Sequence, residues 1–206
     1  MSQIALPFDW PAQADERDFI VSDANAAAVR QLDHRALWPV QACVLAGPRK
    51  SGRSLLGRIF AGRSGGTLID DADRRPEEEL FHAWNRAQAD RRPLLLVAER
   101  APPAWAVRLP DLRSRLAATP SATIAEPDDA LATALVERLL GRRGLAASPE
   151  LLAYLGRRVE RSYLGITRLV DALDELALAK RRGVTIPIAR AALERVGMAA
   201  RQDEML

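Results

Sequence analysis

Val40-Gln41-Ala42-Cys43-Val44-Leu45-Ala46 runs directly into Gly47-Pro48-Arg49-Lys50-Ser51-Gly52-Arg53-Ser54, and a helical pattern continues to about Ala61. The first seven residues are mostly apolar and bounded by Pro39 and Gly47, which predicts a short buried strand. The next eight follow the spacing G-x-x-x-x-G-K-[ST] of a phosphate-binding loop, with Arg53 in the lysine position. Glycines let the backbone curl so that successive N–H groups point inward at phosphate oxygens. The following helix adds the positive end of its dipole, and Ser54 is placed to hold Mg²⁺ beside the phosphates. Arginine is a planar, bulkier cation than lysine, so binding follows from this loop more readily than fast hydrolysis.

About sixteen residues downstream, Thr67-Leu68-Ile69-Asp70 is a second short strand, and it ends in Asp70-Asp71-Ala72-Asp73. An apolar strand that delivers carboxylates at its C-terminal end complements a phosphate loop: one acid organises Mg²⁺ and the next can orient water. Asp70 is assigned the first role and Asp71 the second.

The same alternation extends in both directions. A helix is expected over 24–36 and another over 76–90, where Pro76 and Glu77-Glu78-Glu79 suit a first turn. Strands are expected at 93–98 and 122–125, with a helical turn at 112–116. Strands alternating with helices argue for a parallel sheet covered on both faces. After Pro127 only helical periodicity remains, over 128–141, 148–160, 164–181 and 187–196. The expected fold is therefore α/β, a phosphate-loop core with helices on both sides of a parallel sheet, followed by a small all-helical lid. The parts are an N-terminal arm over 1–12, a nucleotide-binding core over 13–126 and the lid over 127–206.

The chain has 206 residues, 48% hydrophobic and 28% charged, which fits a globular protein rather than a fibrous or low-complexity one. Aromatics are only 5%, so the core must be built from Ala, Leu, Val and Ile. The net charge of +3 is a weak argument for direct nucleic-acid binding, which needs clustered cations. Cys43 is the single cysteine, so no disulfide forms within the chain and a reducing compartment, the cytoplasm, is expected. The start lacks a basic segment followed by an apolar run, and no apolar stretch is long enough to span a membrane. His34 and His82 have no metal-ligand partners at suitable spacing.

Together these motifs resemble the DnaA/Hda branch of the AAA+ proteins, over nearly the whole chain. Asp18 to Asn25, with Phe19 and Val21, resembles the segment that lines the family's adenine pocket. Gly47 to Ser54, extended by Leu55, resembles the Walker A loop in the form where Arg-Ser stands for Lys-Ser. Leu68 to Asp71 resembles the Walker B strand end, and Leu94 to Arg100 the sensor 1 strand, with Ala98 or Glu99 at its end. Leu109-Pro110-Asp111-Leu112-Arg113-Ser114-Arg115-Leu116 resembles the box that carries the arginine finger, which places the finger at Arg115. The second sensor falls on Thr167 or, one residue later, Arg168. Gln3-Ile4-Ala5-Leu6-Pro7-Phe8 resembles the peptide that binds the DNA polymerase sliding clamp. There Leu6 and Phe8 enter an apolar groove, Gln3 supplies directional hydrogen bonds, and Pro7 limits the conformations lost on binding, with Ile4 within the same peptide.

The resemblance implies bound ADP or ATP, with Mg²⁺ held by Ser54 and Asp70. It implies DnaA and the sliding clamp as partners, with DNA reached through the clamp. A homo-oligomer is compatible with it, and a membrane partner is not expected. The implied activity is stimulation of hydrolysis of DnaA-bound ATP through Arg115, acting in trans. No helix-turn-helix segment for reading DNA is expected after the lid. Two other functions share these motifs. An autonomous AAA+ ATPase or loader subunit would turn over ATP without DnaA. A DnaA-related adaptor would bind the initiator or DNA without stimulating hydrolysis.

Overall fold

A computed structural model describes residues 19–180 and 183–198. The first strand, β1 (Ala42–Ala46), is buried along its whole length and lies between β3 (Leu94–Ala98) and β4 (Ser121–Thr123). The sheet order is β2-β3-β1-β4, with β2 (Thr67–Ile69) on the outer edge, and every pairing is parallel. Ala42 is in register with Leu94 and Leu45 with both Val97 and Ala122.

Side chains alternate across a strand, so β1 and β3 supply two apolar faces. Cys43, Leu45, Leu95 and Val97 pack with Ala28, Leu32, Leu56 and Phe60. These come from α1 (Asp23–Asp33) and α2 (Arg53–Ser64). Ala42, Val44, Leu94 and Leu96 pack on the other side with Leu80, Leu112 and Leu116, from α3 (Glu77–Asp90) and α4 (Pro110–Ala117). The sandwich is thus made mainly of aliphatic residues, as a chain poor in aromatics requires.

The C-terminal lobe contains α5 (Asp129–Arg142), α6 (Pro149–Gly156), α7 (Tyr163–Lys180) and α8 (Ile186–Arg195). Its own core gathers Val136, Leu140, Leu155, Leu169, Leu173 and Ala189. Asp128 and Ser148 cap α5 and α6 by accepting from the N–H groups of Leu131 and Leu151. No helix among the described residues is long and apolar enough to cross a membrane.

Several elements differ in extent from the sequence expectation. Helix α1 ends at Asp33 rather than at 36, with a separate 3-10 turn over Arg35–Leu37, β1 begins at Ala42 rather than Val40, and β4 spans Ser121–Thr123 rather than 122–125. Helix α2 runs to Ser64 rather than Ala61, and α4 begins at Pro110, which fits its first turn. Helix α6 stops at Gly156, four residues before the end of its helical periodicity. Arg158 and Val159 both donate their N–H to Leu155 O, and this turn swings Val159 into the lid core, where it is buried.

Candidate functional site

The loop after β1 is held at both ends. Gly47 N–H donates to Ala98 O at 3.3 Å, so the loop starts from the carboxyl ends of two neighbouring strands. Gly52 begins α2 with φ +84, and a Cβ there would lie 3.2 Å from the Phe19 ring, so both backbone and space call for glycine. Lys50 also has a positive φ, 68°. Ser51 is buried, and its Oγ has no protein hydrogen-bond partner. A buried hydroxyl without a partner is costly, and an oxygen-rich ligand in the loop would relieve that cost.

The acidic strand end meets this loop. Ser54 Oγ donates to Asp70 Oδ1 at 3.1 Å, and Asp71 N–H donates to the same carboxylate oxygen at 3.0 Å. Arg53 is buried and turned inward: Nη1 donates to Gly47 O at 2.5 Å and Nη2 to Asp71 Oδ1 at 3.2 Å. The guanidinium therefore joins the first residue of the loop to the second acid of the strand end. Asp71 itself takes a left-handed backbone, φ 50. At the end of β3, Ala98 is fully buried, and Glu99 N–H donates to Asp73 Oδ2 at 3.1 Å.

Beside the loop a cavity of about 140 Å³ opens between core and lid. Phe19, Ile20, Lys50, Ser51, Gly52 and Leu55 form its core side. Leu135, Arg138, Arg142, Tyr163 and Ile166 close it from the lid. Asn25, almost fully buried, shapes the entry segment: Nδ2 donates to Ile20 O at 2.8 Å, and Oδ1 accepts from Ser22 N–H at 3.0 Å. Tyr163 O–H donates to Ala125 O at 3.0 Å and so ties the first turn of α7 to the end of the core. Burial pushes the Tyr163 phenol up to about 12, with smaller contributions from Glu126 and Asp128.

Residues 128–193, which span all of α5 to α7 and most of α8, match the sequence profile of the Hda lid domain. Domain III of the Thermotoga maritima replication initiation protein DnaA shares the fold at a TM-score of 0.74 and 15% identity, over 90% of this chain and 97% of that one. Residues 128–193 thus carry an Hda-type lid, and the chain as a whole shares the fold of DnaA domain III. AMPPCP-bound DnaA from Aquifex aeolicus aligns at TM-score 0.61 and 16% identity, over 87% of this chain and 66% of that one. The Thermotoga maritima RuvB Holliday junction branch migration motor aligns at TM-score 0.57 and 16% identity, over 75% and 61%. In sequence, an uncharacterized protein of Haemophilus influenzae is 30% identical over 115 residues, 55% of this chain and half of that protein's length.

The expected site residues fall in several places. The fold brings Phe19, Lys50, Ser51, Gly52 and Leu55 around one cavity and sets Gly47, Arg53, Ser54, Asp70 and Asp71 beside it. Pro48 and the exposed Arg49 form the outer bend of the loop. Val21 is 59% exposed and does not line the cavity. Arg168 is exposed on α7 and also lies off the cavity, while Thr167 Oγ1 donates to Tyr163 O within the helix. Arg115 lies against α3: Nε donates to Asn85 Oδ1 at 3.0 Å, and the guanidinium stacks on Phe81 and Trp84. Gln3, Ile4, Leu6, Pro7 and Phe8 lie outside the described residues.

The sequence reading placed Ile20 and Asn25 within the pocket-lining segment but missed Arg138, Arg142 and Tyr163 as cavity residues. For the two arginines a signal existed. Leu131, Leu135, Arg138 and Arg142 recur at helical spacing on one face of α5. That pattern marks a face without saying what it meets.

Proposed function

We propose that this Hda-type protein regulates replication initiation: it binds an adenine nucleotide, ADP in its resting state, in the cavity between core and lid. Tethered through residues 3–8 to the DNA-loaded sliding clamp, it presents Arg115 to ATP-bound DnaA and stimulates hydrolysis there. The initiator becomes ADP-bound, and replication is not restarted early. The observation that carries the nucleotide part is the pairing of Ser54 with Asp70 at 3.1 Å beside a loop whose buried Ser51 hydroxyl has no protein partner. Ser54 and Asp70 are the residues that would hold Mg²⁺, whose role there is to offset phosphate charge. The Hda-type lid and the shared fold with AMPPCP-bound DnaA support the adenine nucleotide and the link to the initiator.

Slow turnover by the chain itself follows from the same geometry. Asp71, the candidate for orienting water, is paired with Arg53. A carboxylate engaged in this way is poorly placed to activate a nucleophile, which counts against an autonomous ATPase or loader subunit. Work on phosphate is assigned instead to Arg115, whose positive charge would stabilise the transferring phosphoryl group in DnaA. Arginine fingers are worth ~10³–10⁵ in rate.

The test is hydrolysis of DnaA-bound ATP in the presence of clamp, DNA and this protein. Arg115→Ala should fold normally and retain clamp binding, yet lose stimulation. Unchanged stimulation would remove the finger assignment. Gln3→Ala combined with Leu6→Ala should abolish capture by the clamp. One observation favours the adaptor reading: Arg115 is stacked on its own α3. Wild-type protein that binds DnaA without accelerating hydrolysis would establish that alternative.

A further inference from the structure

Arg53 occupies the motif position from which a cation usually reaches phosphate, but its side chain points elsewhere. Only 9% of the side chain is exposed, and its two terminal nitrogens are engaged by Gly47 O and Asp71 Oδ1. A guanidinium is a rigid planar fork, so the same group cannot hold both partners and also turn into the cavity. A nucleotide held beside Ser51 and Gly52 therefore needs positive charge from another source.

The cavity carries three other basic residues: Lys50 on the loop, and Arg138 and Arg142 on the lid. The two arginines are spaced i, i+4, so one face of α5 presents both. The first half of that face, Leu131 and Leu135, is apolar and lies against Phe19, Ile20 and Tyr163 in the same cavity lining. The second half is basic. It lies near the C-terminal end of α5, where the helix dipole is negative, so an anion is tolerated there only beside cations. The apolar turns suit a base and the basic turns suit phosphate.

We infer that Arg138 and Arg142 of the lid, with Lys50, supply the positive charge that holds the nucleotide phosphates, while Arg53 serves as an internal staple. This inference rests on the nucleotide-binding reading. It assigns phosphate recognition to α5 rather than to the exposed Arg168 on α7, so phosphate binding would also draw the lid onto the core.

Calorimetric titration of the full chain with ADP and with adenosine tests this assignment. Arg138→Gln and Arg142→Gln should each weaken ADP about tenfold or more, as expected for loss of a charge-assisted hydrogen bond. Adenosine, which has no phosphate, should change less than about twofold by the same reasoning. Arg168→Gln should leave both ligands unchanged. Arg138→Lys and Arg142→Lys keep the charge and should recover most of the ADP affinity, which separates charge from misfolding. Wild-type binding of ADP that both Gln variants match would overturn the assignment and leave the nucleotide reading standing. An equal loss of ADP and adenosine would also overturn it, since the arginines would then act only through lid packing. Absence of ADP binding by the wild type would overturn both.

Discussion

The Arg115 guanidinium lies over the Phe81 ring, 4.3 Å from its centroid, with Trp84 at 5.4 Å on the same helix. Asn85 Oδ1 accepts from its Nε, and Asp111 O accepts from Nη1 at 3.1 Å. A residue proposed to reach DnaA is thus held on its own surface by two aromatic rings and two acceptors. A cation over an aromatic ring is worth ~0.5–1 kcal/mol at partly exposed sites. Such a hold is strong enough to order the side chain and weak enough to release it.

Phe81→Leu tests the balance. The substitution keeps an apolar side chain on α3 and removes the ring. Melting should show a loss of about 1 kcal/mol or less. If Arg115 acts in trans, stimulated hydrolysis of DnaA-bound ATP should rise about two- to fivefold, the same energy expressed as population. A fall in stimulation would mean that the stacked position is the working one.

Arg53→Lys probes the staple. A lysine ammonium is a compact point charge and cannot span Gly47 O and Asp71 Oδ1 as the fork does. Because Arg53 is buried, the loss should be about 1–3 kcal/mol in urea unfolding. Asp71 is 54% exposed, so water compensates part of the broken pair and the lower end is favoured. Affinity for ADP should stay within about threefold, because Arg53 does not face the cavity. A tenfold loss of ADP without loss of stability would return Arg53 to the phosphate.

Much of the core was legible because its signals are local. Pro39 and Gly47 bracket an apolar run too short for a helix, and Asp70 follows Ile69 at the end of another. The end of α6 was not legible, since residues 157–160 keep a helical pattern while Val159 is drawn into the lid core. The inward turn of Arg53 depends on Asp71, which approaches only because β2 lies beside β3 in the sheet order. The basic half of α5 could be read as a helix face, but only the packed lid shows that it meets Lys50, Ser51 and Gly52. Local pattern marks elements and loops; which charged groups face one another is decided by the layers that bring them together.

Tyr163 joins the two lobes through one hydrogen bond, from its hydroxyl to Ala125 O at 3.0 Å. Its side chain is almost fully buried, so Tyr163→Phe removes the donor and leaves the ring in place. The Ala125 carbonyl loses that partner, which should cost about 0.5–1.5 kcal/mol. The variant should also weaken ADP binding, because the lid loses one attachment beside the cavity. The pH dependence has a definite sign. The phenol is raised in the folded protein from 10.0 to about 12, so folding favours the protonated form. Its contribution is fully present below about pH 10 and is lost as pH rises from there towards 12. Urea unfolding from pH 9 to 11.5 should therefore show wild-type stability falling more steeply than that of Tyr163→Phe, with the two curves converging at the alkaline end. Parallel curves over that range would show that Tyr163 keeps its ordinary acidity in the folded chain and that its hydroxyl is not buried against Ala125.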